Sequence, residues 1–230
     1  MNSTISNSVS RLVRGVGTAL IVVAAIGSVA VADAGAASNP HWYAGGKLVT
    51  SPERVTATGT VPFHFGFVVG GIKMDSECAT MSAGGTIENG KTESTWSGST
   101  VTLKGCKVNF PAGNGCVIGT MVSGKGLVQE QLIFKPLKAK TATPSAIQYL
   151  PETGTTYLEF TISGCTSTWL NGTKVVSGTM TAVSTETPGI FEFVKYGSTL
   201  TFGGQIAYLT GAYRIVSVQN EWNLNVTLGS

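Results

Sequence analysis

Val101-Thr102-Leu103-Lys104-Gly105-Cys106 and Phe160-Thr161-Ile162-Ser163-Gly164-Cys165 are one strand ending written twice. In each, apolar residues stand three and five places before the cysteine, the spacing of a half-buried β-strand, and a glycine comes directly before it. Cys106 and Cys165 are one residue out of phase with those apolar faces. A one-residue slip sends a side chain to the other side of a sheet, so Gly105 and Gly164 are expected to be bulge glycines that turn the thiols back inward. Each ending also has an earlier cysteine to close with, which gives the expected disulfides Cys78 to Cys106 and Cys116 to Cys165. The main competitor links Cys106 to Cys116 across the turn Pro111-Ala112-Gly113-Asn114-Gly115 and leaves Cys78 for Cys165.

Cys78 lies in the cleanest alternation of the chain. Ile72, Met74, Ser76, Cys78 and Thr80 share one face, while Lys73, Asp75, Glu77 and Ala79 share the other. Further strand-like runs cover Arg54–Thr58, Val61–Val69, Leu127–Phe134, Lys174–Val183, Ile190–Val194, Gln205–Val218 and Trp222–Leu228, separated by Gly, Pro or Asn. No apolar stripe recurs at helical spacing. Charged residues are 12% of the chain and glycines number 30, a balance of short strands and many turns. The expectation is an all-β, antiparallel, disulfide-stapled fold, a β-sandwich or jelly-roll-like pair of sheets. Lys135–Gly154 reads as a looser segment, with Lys135, Lys138 and Lys140 on a solvated loop.

Residues 1–36 have the three parts of a signal peptide: Arg11 and Arg14 near the start, an uncharged apolar run from Gly15 to Ala32, and the small residues Ala34-Gly35-Ala36. A retained membrane anchor is the competing reading, because the apolar run is just long enough to span a bilayer. After cleavage, 37–230 would be a single all-β domain, or two fused cysteine-closed units, 37–112 and 113–230. No later segment is expected to span a membrane. Behind a leader, an even number of cysteines implies disulfides in an oxidising compartment, so the chain is expected to be secreted or held at the cell surface. His41-Trp42-Tyr43 before Gly45-Gly46 reads as a strand entering a turn, with Trp42 or Tyr43 covering one end of the core.

Chemistry is thinly represented. The net charge is +3, with no run of Lys or Arg, which excludes a nucleic-acid surface. The mature chain has only His41 and His64 as imidazoles, and His64 alternates with Phe63 and Phe65, where a half-buried structural histidine is the simpler reading. Asp75 and Glu77 share a polar strand face with Lys73 and are read as solvated. An enzyme would need a cleft bringing Asp75 or a glutamate beside His64. No metal set, cofactor motif or phosphate loop occurs. Leu150-Pro151-Glu152-Thr153-Gly154 matches a sortase recognition pentapeptide, but about 75 strand-like residues follow it, so it reads as a chance match in a turn.

Trp96 and Trp169 lie among Ser, Thr and Gly, not in apolar runs, and are read as partly solvent-facing indoles suited to stacking on sugars or anchoring a partner. The competing reading folds them over the edge of a core. A binding or structural role at the envelope or in the matrix follows, the partner being an extracellular protein, a matrix component or a carbohydrate. The rival is a closed pocket for a small apolar or sugar ligand, lined by Phe63, Phe65, Phe67 or tyrosines.

Taken together, the leader with His41-Trp42-Tyr43, Cys78 followed by Gly85-Thr86-Ile87, the Leu103-Lys104-Gly105-Cys106 ending and Thr199-Leu200-Thr201-Phe202-Gly203-Gly204 give the chain a family likeness. It resembles a largely uncharacterised group of secreted, β-rich bacterial proteins common in actinobacteria, some of which are labelled activators of alkane oxidation. The resemblance implies export and a β fold. It supplies no catalytic residues, because that label describes a phenotype.

Overall fold

The computed structural model describes residues 40–91, 94–143, 146–194 and 198–228, so the expected leader, 1–36, lies outside the described residues. Nineteen strands are described. They are β1 (Pro40–Ala44), β2 (Lys47–Leu48), β3 (Glu53–Gly59), β4 (Phe63–Val69), β5 (Ile72–Asn89), β6 (Ser94–Ser99), β7 (Thr102–Phe110), β8 (Val117–Val122), β9 (Gly126–Gln129) and β10 (Gln131–Ile133). There follow β11 (Leu137–Thr143), β12 (Ala146–Pro151), β13 (Thr156–Ser163), β14 (Gly172–Ser177), β15 (Met180–Ser184), β16 (Ile190–Val194), β17 (Thr201–Phe202), β18 (Gln205–Ser217) and β19 (Leu224–Leu228). A single 3-10 turn, Thr168–Leu170, is the only helical element among them. Every strand pairing is antiparallel, and the fold is all-β and disulfide-stapled as expected.

The sheets of this sandwich are joined at their edges. β3 and β4 lie end to end between the two long strands, β3 pairing with Ser82–Ile87 of β5 and Val55–Gly59 meeting Tyr213–Ser217 of β18. β4 pairs with Ile72–Cys78 of β5 and with Ala207–Thr210 of β18. Through β18, β16, β15, β12, β11 and β6 the ladder returns to β5, which closes a first ring of eight strands. A second ring runs from β18 through β17, β14 and β13 and returns by β10 and β7 to the other half of β5. Its closure between β13 and β10 is a single bridge, Leu158 opposite Phe134. Because β5, β18 and the β3–β4 line belong to both rings, pairing crosses the 112/113 boundary, and Ala37–Ser230 is one compact unit.

Inward-pointing side chains fill both rings. Trp42, Phe63, Trp96, Tyr149, Phe191, Phe193 and Tyr213 are buried in one aromatic cluster, with Phe191 stacked on Tyr213 and Trp96 edge-on to Tyr149 at 5.8 Å. Phe65, Phe67, Phe160 and Phe202 make a second, with centroids 4.5 to 6.4 Å apart. Alternation on β4 explains why Phe63, Phe65 and Phe67 all point inward. β1 covers an end of the core as expected of Trp42: its indole N–H donates to the Thr95 carbonyl, and the Asn89 side chain bonds both its backbone N–H and its carbonyl.

Cys78 pairs with Cys106, and Cys116 with Cys165, which rules out the competing map. Neither glycine is a bulge. Gly105 does have the left-handed backbone its phase slip requires, φ +65°, but the β5–β7 register runs unbroken from Cys78 opposite Cys106 to Thr80 opposite Lys104. β5 slips with it: Met74, Ser76 and Cys78 are buried before that point, and Met81, Ala83 and Ile87 after it. Gly164 lies past the end of β13 at φ +71°, where it and Gly115 approach so closely that a Cβ on either would meet the other's carbonyl oxygen at 3.1 Å. The segment expected to be loose is also a correction, since β11 and β12 pair over most of their length and bury Leu137, Ala139, Ile147 and Tyr149.

Candidate functional site

The break in the second ring makes a site. β13 pairs with β8 only at Thr161–Ser163, and it meets the end of β10 at Leu158, where the Lys135 N–H donates to the Tyr157 carbonyl. Between these points Glu159 and Phe160 have β14 on one side and open space on the other. β8 diverges there toward its hairpin with β9, which passes close: a Cβ at Gly119 would fall 2.4 Å from the Val128 carbonyl oxygen. The result is a cleft of about 410 Å³ at the seam, inside the range of small-ligand sites.

Its wall follows from strand alternation. Phe160 and Ile162 of β13 point into the core, so Glu159 and Thr161 point out, and on β14 their register partners Val175 and Thr173 do the same. Met121, Val122, Ile133 and Pro136 supply the apolar part of the lining, which Phe134 and Phe160, themselves buried in the core, border from within. Thr100, Ser123, Thr161 and Thr173 supply hydroxyls, and Lys135 and Glu159 are its two charged side chains, 3.9 Å apart. Thr120 is engaged, its Oγ1 accepting from the Ile133 N–H at 3.0 Å. Met121 is 61% exposed at the rim. Among the described residues no His, Asp or Cys lines the cleft.

A second constellation lies on the outer face of β4, β5 and β18. His64 Nδ1 is 3.5 Å from Asp75 and its Nε2 is 3.8 Å from Glu77. Tyr208 donates to Asp75 Oδ1 at 3.0 Å, its ring lying on Gly66, where a Cβ would come within 2.2 Å. Burial, and then the hydrogen bond to Asp75, raise the Tyr208 phenol above its ordinary value. His64, expected to be half-buried and structural, thus stands between two carboxylates. The sequence put Asp75 and Glu77 on one face but gave no sign that His64 lies opposite Glu77 in register. The group is on an open sheet, not in a cleft, and among the described residues no cluster of His, Cys, Asp or Glu is arranged to hold a metal ion.

The two tryptophans part company. Trp96 is fully buried against Tyr149 and over Gly85, so its reading as a partner or ligand contact is corrected: the polar neighbours Thr95 and Ser97 are simply those on the outer face of β6. Trp169, on the 3-10 turn, is 48% exposed with its benzo edge against Gly70. Phe63, Phe65 and Phe67, which the rival reading placed around a closed pocket, pack on one another and on Phe160, Phe193 and Phe202. The sortase-like pentapeptide starts inside β12, with Pro151 buried and Glu152 Oε1 accepting from the Gly98 N–H at 2.7 Å.

Two other depressions are more polar. One, about 270 Å³, lies beside Trp222, whose ring rests on Gly45 and carries Lys47 at 5.5 Å. Another, about 510 Å³ and wider open, lies around Arg214 and Glu221. Among the described residues no helix is long and apolar enough to cross a membrane. No family model matches the chain, no curated protein matches it, and no solved structure matches it.

Proposed function

We propose that the chain is an exported protein of the cell envelope or extracellular matrix that acts by binding, and that the seam cleft holds a small apolar or carbohydrate ligand. The observation that carries this reading is the cleft itself: an apolar recess of about 410 Å³, ringed by hydroxyls, at a break in an otherwise closed ladder. Among the described residues its lining is apolar with hydroxyls at the edge, which suits it to holding a molecule. Export is supported by the leader pattern of residues 1–36 and by the two disulfides, which need an oxidising compartment. The resemblance to secreted actinobacterial proteins agrees with it.

The test is a titration of residues 37–230 with short alcohols, alkanes and monosaccharides, followed by amide NMR. Shifts confined to 120–123, 133–135 and 159–161 are expected. A panel that moves none of these amides would end the small-ligand reading. Trp169, half exposed on its turn, supports a second reading in which the contact is a macromolecular partner.

A further inference from the structure

Given that the cleft is a ligand site, the reading on which this inference rests, we infer that its occupant is an uncharged amphiphile: a compact apolar body carrying a hydroxylated head. The charge at the mouth decides the head. Lys135 Nζ and Glu159 Oε2 are 3.9 Å apart and both about half exposed. An exposed pair at that separation is weak, so each partner can turn to a ligand at little cost. The two charges also cancel. An ionised head of either sign would therefore sit beside a like charge, whereas a hydroxyl can accept from the ammonium and donate to the carboxylate at once. Thr161 and Thr173, opposite each other in register on the same outer face, add two further hydroxyls that donate or accept.

The apolar lining decides the body. Met121 at the rim, with Val122, Ile133 and Pro136, offers nothing to a sugar ring's hydroxyls, and a bare monosaccharide would leave them unpaired. A short alkyl or similarly compact apolar group matches this surface, and the cleft lies toward the small end of ligand sites.

The probes are octyl β-D-glucoside, hexyl β-D-glucoside, octanoate, octyltrimethylammonium and glucose, each below its micelle-forming concentration, titrated against residues 37–230 with the cleft amides as readout. Octyl glucoside is expected to bind tightest. The hexyl compound should be weaker by roughly 15-fold, about fourfold for each methylene removed, and glucose should be weaker still. Glu159→Gln should improve octanoate relative to octyl glucoside several-fold, and Lys135→Met should do the same for octyltrimethylammonium, while both variants keep the wild-type circular dichroism. Octanoate or octyltrimethylammonium binding wild-type protein as tightly as octyl glucoside overturns the uncharged head. Glucose equalling octyl glucoside overturns the apolar body. In both cases the cleft remains a ligand site. If no probe moves a cleft amide, the underlying reading fails with the inference.

Discussion

Replacing Trp96 with alanine is the sharpest check on the core of the first ring. A buried tryptophan removes about 150–250 Å² from water, which at ~25 cal/mol/Å² corresponds to about 4–6 kcal/mol. Trp96 is fully buried and edge-on to Tyr149, a pairing that adds about 0.5–1.5 kcal/mol. Against this, its indole Nε1 is buried with no hydrogen-bond partner among the described residues, a penalty of about 1–3 kcal/mol that the substitution relieves. The net expectation is a loss of about 3–5 kcal/mol, the range of aromatic-to-alanine changes in cores. Trp169→Ala, at a half-exposed side chain, should cost about 1 kcal/mol or less. Trp96→Phe separates the two opposing effects, since it keeps an aromatic ring and removes the unpaired N–H; it should cost clearly less than the alanine change. Urea unfolding of the disulfide-intact protein, followed by far-ultraviolet circular dichroism, gives all three values. If Trp96→Ala cost under about 1 kcal/mol, or Trp169→Ala cost more than it, the placement of the two indoles would be refuted.

Cleavage between Cys106 and Cys116, at Lys107 for example, should leave no covalent link between the halves under non-reducing denaturing conditions, and a linked product would contradict both disulfides. Opening either one by Cys→Ser pairs should cost about 3.5–4 kcal/mol on the loop-entropy scale, measured by the same urea titration. Alkali should unfold the protein steeply. Burial raises the phenols of Tyr149, Tyr157 and Tyr213 well above their ordinary value near 10, so the folded chain keeps three protons that the unfolded chain gives up. Stability is therefore intact below pH 10 and falls above it, by about 4 kcal/mol per pH unit for three such groups; unchanged stability between pH 10 and 11 would deny their burial. N-terminal sequencing of secreted material should begin near Ala37, and residues 1–36 found intact on membranes would replace the signal peptide with an anchor.

What the sequence disclosed was local. Alternation through Ile72–Cys78 put Cys78 in the core, and the two Gly-Cys endings pointed to the disulfides, because each of these signals is contained in a few consecutive residues. The slip at Gly105 was visible as well, but not its resolution, since β5 absorbs the same slip and no bulge is needed. Trp96 misled for a related reason: polar neighbours on a strand belong to the opposite face, and what buries an indole is a distant Gly85 and Tyr149. The cleft could not be read at all. Its lining comes from five separate stretches, brought together only because β8 and β10 part company along β13.

Strands that run through both rings impose an order of events on the growing chain. β5 is complete at Asn89, but the strands that complete either ring around it include β18, which ends at Ser217. At about 5–20 residues per second, synthesis of the intervening segment takes roughly 6–25 s. During that interval only strands already made nearby can cover the edges of β5: β3 and β4 on one side, β6 and β7 on the other. The Cys78–Cys106 bond, closing within this local group, can lock the waiting sheet before its last partner exists. A chain stopped short of β18 would keep an open edge along β3 and β4, the kind of edge that recruits a second copy.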